Sequence, residues 1–352
     1  MTIVRSWLCC LTALLLGIHP VHGAAANAAG PAPEVTLHGK SFYENGQPWI
    51  AKGVVIEGFN APQSARKGAA KAAAYYGAKE LAAAREVFGA NTIHFKISQP
   101  GLDPKSSIFD PAYITELKTA VELARHSGFV VILSMDSQDE NGVHGLPCMP
   151  TDATLRAWGS IVSWIRSDQG IMLEVFNEPC KPNNPQSEAE WVRVMQELVQ
   201  GLRGMKSSNI LLLNGLVYGR YVSGLFAKVH DSIPDHLALS VHPYLMKGFA
   251  TRQDWDHYFG TSAQQYPIIA TEFKATAKNG CVGADTPQLT LQMVRYLQER
   301  HIGLVVWAID SSFGHLVRDH EKFEPLGYEL FKGCGDGSVA GAGKLLVKFP
   351  NN

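Results

Sequence analysis

Two glutamates stand out because of the residues around them. Glu178 lies in Phe176-Asn177-Glu178-Pro179, at the end of an apolar run over 171–176. Glu272 lies in Ala270-Thr271-Glu272-Phe273, at the end of another run over 268–271. A carboxylic acid that can release a proton and a carboxylate that stays ionised are what hydrolysis of a glycosidic bond needs. One protonates the leaving oxygen while the other attacks the anomeric carbon. Two further runs end in the same manner: 237–241 leads into His242-Pro243-Tyr244, and 303–308 contains Trp307. An amide, an imidazole and a phenol can bind hydroxyl groups, and an indole offers a flat apolar face for a sugar ring. Each motif alone is an ordinary strand end or core aromatic; their shared order argues for one site.

The elements that carry these motifs recur regularly. Short apolar runs fall at 52–56, 92–97, 129–135, 171–176, 210–213, 237–241, 268–271 and 303–308. Between them lie helical stretches, including 69–88, 111–126, 152–166 and 188–205. In the last two of these stretches Trp, Ile, Val and Leu recur at helical spacing, and Asp152 and Ser187 are the expected N-caps. Eight strands alternating with helices predict an α/β fold of the parallel (β/α)8 barrel type, spanning 35–332. A doubly wound open sheet would carry a Gly-rich phosphate loop after its first strand, where this chain has Glu57-Gly58-Phe59-Asn60. In such a barrel the C-terminal strand ends form one rim, so Asn177, Glu178, His242, Tyr244, Glu272 and Trp307 converge. Strand alternation places Ile268, Ala270 and Glu272 on one face, and Ala238, Ser240, His242 and Tyr244 on another. A short hairpin turning at Asn45-Gly46 precedes the barrel. Residues 27–34 read as a flexible lead-in, and the Gly-rich tail 333–352 carries no assignable pattern.

These motifs resemble those of the clan A retaining glycoside hydrolases, and are most similar to glycoside hydrolase family 5, the cellulase and mannanase family, over roughly residues 35 to 332. The resemblance implies Glu178 as acid/base, Glu272 as nucleophile and Asn177 on the sugar 2-hydroxyl. It also implies Trp307 as the floor of the −1 subsite, Tyr244 holding the nucleophile and His242 beside the acid/base. Two positions depart from the family: His94 stands where an Arg is usual on strand two, and Asp136 where a His usually ends strand three. Alternation puts Lys96 inward, one step above His94, so Lys96 and Asp136 are expected to form a charge pair that supplies the missing positive charge. The implied activity is that of an exported β-glycosidase, an endo-β-1,4-glucanase, working without cofactor or metal. A β-mannanase, an exo-β-glucosidase and a non-catalytic polysaccharide-binding barrel are the alternatives.

Composition limits the partners. With 31 Lys and Arg against 32 Asp and Glu, the formal charge is −1, and no basic cluster invites nucleic acid or an anionic membrane. The expected partner is a polysaccharide or oligosaccharide, and the expected state a monomer. Arg5, the apolar stretch 7–18 and the small residues 23–26 read as a signal peptide over 1–26, too short to span a bilayer. Export to a secreted or periplasmic location then favours disulfides among Cys148, Cys180, Cys281 and Cys334. Spacing alone leaves three connectivities open. The order of strand ends favours Cys148–Cys180 and Cys281–Cys334.

Other groups carry weaker signals. Phe59, Tyr218, Tyr221, Trp255, Tyr258 and Phe313 fall in segments of the open face, where each is a sugar platform or plain packing. Trp158, Trp164 and Trp191 read as core. Glu174 reads as a structural charge inside the barrel. His315, Asp319 and His320 lack a metal-ligand spacing.

Overall fold

Eight of the apolar runs become the staves of a closed parallel barrel. The computed structural model describes residues 32–65, 75–136, 138, 144–274, 281–311, 316–329, 331–334 and 341–351. The expected signal peptide and the lead-in up to residue 31 lie outside the described residues, as do Phe313 and His315. Three short antiparallel strands come first: β1 (Val35–His38), β2 (Ser41–Glu44) and β3 (Gln47–Trp49). The barrel strands are β4 (Lys52–Ile56), β5 (Thr92–Ser98), β6 (Val130–Asp136), β7 (Ile171–Glu174), β8 (Leu211–Asn214), β9 (Leu237–Val241), β10 (Ile268–Ala270) and β11 (Gly303–Val306). They pair in that order and close by β11 on β4. Among the described residues no helix is long and apolar enough to cross a membrane.

Alternation along the strands separates two apolar layers. Ile93, Phe95 and Ile97 of β5 and Val131, Leu133 and Met135 of β6 pack outward against the helices. Val130, Ile132, Met172, Leu212, Ala238, Ile269 and Val305 fill the barrel interior. Val35, Leu37, Phe42 and Trp49 of the N-terminal sheet belong to that same interior cluster, so the small sheet plugs the lower end. The upper half of the interior is polar: His94, Lys96, Ser134, Asp136 and Glu174 are all buried there. The apolar layer supplies the stability and the polar layer the chemistry.

Helix Pro111–His126 has the expected bounds, with Asp110 capping it and Pro111 at its first position. Two other caps differ from expectation. Thr151, not Asp152, caps helix Asp152–Ile165, in a reciprocal box with Thr154. Asn184, not Ser187, caps helix Pro185–Gly204, its side-chain oxygen accepting from the Ser187 N–H. In both cases the capping oxygen stands before the helix; the expected residues already lie within its first turn. The Gly-rich tail contains helix Gly343–Lys348, which buries Leu346 in the outer core and whose Val347 carbonyl accepts from Lys52 Nζ at 3.2 Å.

Both expected disulfides are formed, Cys148–Cys180 and Cys281–Cys334. The first ties the segment after β6 to the one after β7, where Cys180 N–H also donates to Cys148 C=O at 3.0 Å. Its sequence separation is 32 residues. Chain entropy of that loop gives a stabilisation of about 3–4 kcal/mol. Cys148→Ser with Cys180→Ser should therefore lower the unfolding temperature measurably in a thermal scan. Non-reducing peptide mapping that recovers a free Cys180 thiol would contradict the pairing.

Candidate active site

The barrel mouth brings Asp136, Glu174, Glu178 and Glu272 together around Lys96, His144 and His242. β7 ends at Glu174, and the chain then turns through Asn177 to Glu178, whose φ of 52° is left-handed. A non-glycine residue held there costs on the order of 1–3 kcal/mol and marks a place the surroundings over-determine. Asn214, ending β8, supplies part of that hold, since its Oδ1 accepts the Glu178 N–H at 2.9 Å. Gly219 is required nearby: its φ is 75°, and a side-chain carbon there would meet Asn214 Oδ1 at 2.7 Å and the His242 ring at 3.0 Å.

Glu272 reaches the mouth differently from expectation. Ile268 and Ala270 face the helices, while Ile269 faces the interior and Thr271 reaches inward to Glu174. β10 ends at Ala270, so strand alternation no longer governs Glu272, which enters from the turn beyond. One oxygen of Glu272, one of Glu178 and one nitrogen of His242 lie within 4.8 Å of one another. Tyr244 Oη donates to Glu272 Oε2 at 2.9 Å, and Lys96 Nζ faces Oε1 at 3.6 Å. Lys96 also lies 3.7 Å from Asp136 Oδ1, so the expected pair is part of a triad with Glu272.

His242 bridges the buried charges. Nδ1 is 2.9 Å from Glu178 Oε1, and Nε2 is 3.1 Å from Thr271 Oγ1 and 3.4 Å from Glu174 Oε1. Burial alone would lower its pKa, but Glu272, Glu174 and Glu178 outweigh that and push it up to about 10. Glu178 shows the converse. Burial would raise its carboxyl, but hydrogen bonds from His144 and His242 hold it well below the usual carboxylate range. The three groups could in principle ligate a cation. Their hydrogen bonds to one another, to Tyr244 and to Thr271 already link them into a proton-exchanging network.

Several sequence candidates sit elsewhere than expected. His94 is sealed below the mouth, with Nε2 2.8 Å from Glu174 Oε2, and does not reach the site opening. Phe59 and Trp255 are buried in the outer core and offer no platform. Tyr221 and Tyr258 pack edge to face at 5.9 Å. Tyr218 stays 46% exposed on the rim. Trp307 follows β11, and the Lys274 ammonium rests 3.8 Å from its ring centroid. Burial lowers the Lys274 pKa to about 8. Asn177 is fully buried, its amide donating to Asp136 Oδ1 at 3.1 Å. Trp158 and Trp191 are core, and Trp164 packs partly buried against it. Glu174 accepts from Asn214 and Thr271 inside the barrel. His320 stacks on Tyr75 at 4.8 Å.

Three residues without a motif of their own, His144, Glu57 and Asp310, complete the site. His144, in the loop after β6, places Nδ1 3.1 Å from Asp136 and Nε2 3.3 Å from Glu178. Glu57, directly after β4, is buried, and its pKa is raised by burial. Asp310 accepts the Glu57 and Gly58 N–H groups at 2.8–3.0 Å, and burial pushes its carboxyl up to about 7. Glu57 and Asn214 obey the same rule that marks Glu178: Glu57 directly follows β4, and Asn214 ends β8.

A closed parallel barrel with carboxylates gathered at its C-terminal mouth is a frame of the glycoside hydrolases. The model of the cellulases (glycosyl hydrolase family 5) matches residues 51–312, and the chain belongs to that family. It is thus a glycoside hydrolase. Solved structures share the fold. A β-glucanase from Saccharophagus degradans, solved with cellotetraose, has a TM-score of 0.64 at 20% identity, covering 85% of this chain and 91% of that one. A β-mannanase from Thermomonospora fusca has a TM-score of 0.58 at 17% identity, covering 86% and 95%. An endocellulase from Pyrococcus horikoshii has a TM-score of 0.59 at 13% identity, covering 79% and 91%. No curated sequence matches the chain significantly.

Proposed function

We propose that the protein is an exported retaining β-glycosidase, an endo-β-1,4-glucanase, that works by double displacement. The observation that carries this reading is the proximity of Glu178 and Glu272, with an oxygen of each within 4.8 Å of the other. Retaining enzymes hold their carboxyls about 5–5.5 Å apart, whereas inverting ones leave about 6.5–9.5 Å for a water. Glu272 attacks the anomeric carbon as Glu178 protonates the leaving oxygen, giving a glycosyl-enzyme. Glu178 then takes a proton from water as that water attacks the same carbon and expels Glu272. Tyr244 and Lys96 hold Glu272 in the attacking position, Asn177 receives the 2-hydroxyl, and the Trp307 indole underlies the reacting sugar. Lys96 supplies the positive charge for which the family uses an Arg. Two disulfides and the N-terminal leader-like segment support export.

The test is hydrolysis of soluble cellulose derivatives, mannan, xylan and aryl glycosides by the purified chain. Cellulose-derived oligosaccharides of mixed length support the reading. Release from mannan alone reassigns the substrate, and no reducing ends from any substrate would leave a binding barrel. Proton NMR of the first product should show the β-anomer before mutarotation. An α-anomer appearing first would contradict double displacement.

A further inference from the structure

His144 occupies the second oxygen of Glu178, and the double-displacement steps above do not use it. Its Nε2 is 3.3 Å from Glu178 Oε2, and its Nδ1 is 3.1 Å from Asp136 Oδ1. Ionised carboxylates only accept hydrogen bonds. An imidazole with a carboxylate on each nitrogen therefore either carries both ring protons or has given one to a carboxylate. Asp136 is not the recipient: Lys96 at 3.7 Å and the Asn177 amide at 3.1 Å favour its ionised form. One proton is thus shared between His144 and Glu178.

We propose that His144 is a positioning residue that stores the proton Glu178 delivers. The inference rests on Glu178 being the acid/base. In the first step the proton passes from His144 Nε2 to Glu178 Oε2 and on to the leaving oxygen, while the glycosidic bond breaks and Glu272 bonds to the anomeric carbon. His144 is then neutral. In the second step the attacking water loses its proton to Glu178, which returns it to His144 as the Glu272 ester bond breaks. The proton count closes over the cycle.

The surroundings select His144 for this task over His242. His242 is fully buried and tied to Glu174, Glu178 and Thr271, so it serves as a fixed counter-charge. The His144 side chain is 48% exposed and can exchange protons with water. Facing it are Asp136 on β6, Lys96 on β5 and Glu178 after β7. His242 and Glu272 lie behind Glu178, and Arg220 after β8 lies close enough to interact with Glu178. Asp136 is the strongest influence and pushes the His144 imidazole up to about 10, against the opposing effect of Lys96. The loop thereby puts an imidazole beside the position where Asp136 replaces the family histidine.

The decisive variant is His144→Gln, which keeps a hydrogen-bond donor but cannot hold the extra proton. The basic limb of kcat/KM on an unactivated cello-oligosaccharide should move toward acid by about one pH unit or more. The loss above neutral pH should be at least about tenfold greater on that substrate than on a 2,4-dinitrophenyl glycoside, whose leaving group needs no proton. A purely structural role would lower both substrates alike and leave the limb in place, and that result overturns the proposal. Nitrogen-15 NMR of the full chain gives a second readout independent of turnover. At about pH 8, where an ordinary imidazole is neutral, both His144 nitrogens should resonate as imidazolium, and Asp136→Asn should abolish this. A neutral His144 at that pH overturns the proposal even if the chain hydrolyses nothing. An imidazolium His144 in a chain without turnover would instead reject the acid/base reading of Glu178.

Discussion

Glu272→Gln should abolish turnover of every glycoside, by on the order of 10⁴-fold or more, because no other group can form the covalent intermediate. Glu178→Gln should behave differently. It should lose roughly 10²–10⁴-fold on substrates with poor leaving groups and much less on activated aryl glycosides, which depart without a proton. The contacts explain why the variants stay informative. Glutamine fills the same volume as glutamate. In place of the Glu178 carboxylate, however, its amide would turn an NH2 group toward the imidazole donors of His144 or His242, so some local rearrangement is expected. In place of the Glu272 carboxylate, the amide oxygen still accepts from Tyr244, but the attraction to Lys96 is lost. Urea denaturation beside the kinetics separates lost chemistry from lost folding. Equal losses on both substrate types in Glu178→Gln, or near-normal rates in Glu272→Gln, would sink the assignment.

Much of this site was legible because barrel chemistry collects where strands end. Asn177, Glu178, His242, Tyr244 and Glu272 all follow short apolar runs, and the strands confirm those runs. Glu272 shows where the reasoning fails. Period-two alternation would carry Glu272 onto the face of Ala270, yet the backbone leaves the strand at Ala270, and inward and outward exchange places. His144 was hidden for another reason. It lies eight positions beyond the end of β6 in a loop, and no periodicity reports which way a loop folds back. Segment position alone does not reveal burial: Phe59 and Trp255, platform candidates by position, both turn into the layer between strands and helices. The strand β1 was also missed, since four residues with alternate burial give too short a pattern beside a Pro-rich lead-in.

Lys96→Met should cost about 3–5 kcal/mol of folding stability, because it strips the cation from two buried carboxylates at once. Asp136 and Glu272 are 1% and 3% exposed, and Lys96 itself 6%, so water replaces little of what is lost. The two carboxylates are not equally supported. Asp136 keeps the Asn177 amide and His144, whereas Glu272 Oε1 is buried with no hydrogen-bond partner among the described residues and faces Lys96 at 3.6 Å. Lys96 stays charged there. Burial favours its neutral form, but Asp136 and Glu272 outweigh that and raise its pKa. Adding Asp136→Leu to Lys96→Met should therefore recover part of the stability and none of the turnover, since Glu272 remains without its cation. The comparison is a double-mutant cycle in urea, read together with kcat on a cello-oligosaccharide. A coupling between Lys96 and Asp136 below about 0.5 kcal/mol would mean that the two charges are independent. Turnover restored in the double variant would mean that Lys96 acts through Asp136 alone, and that Glu272 holds its attacking position without it.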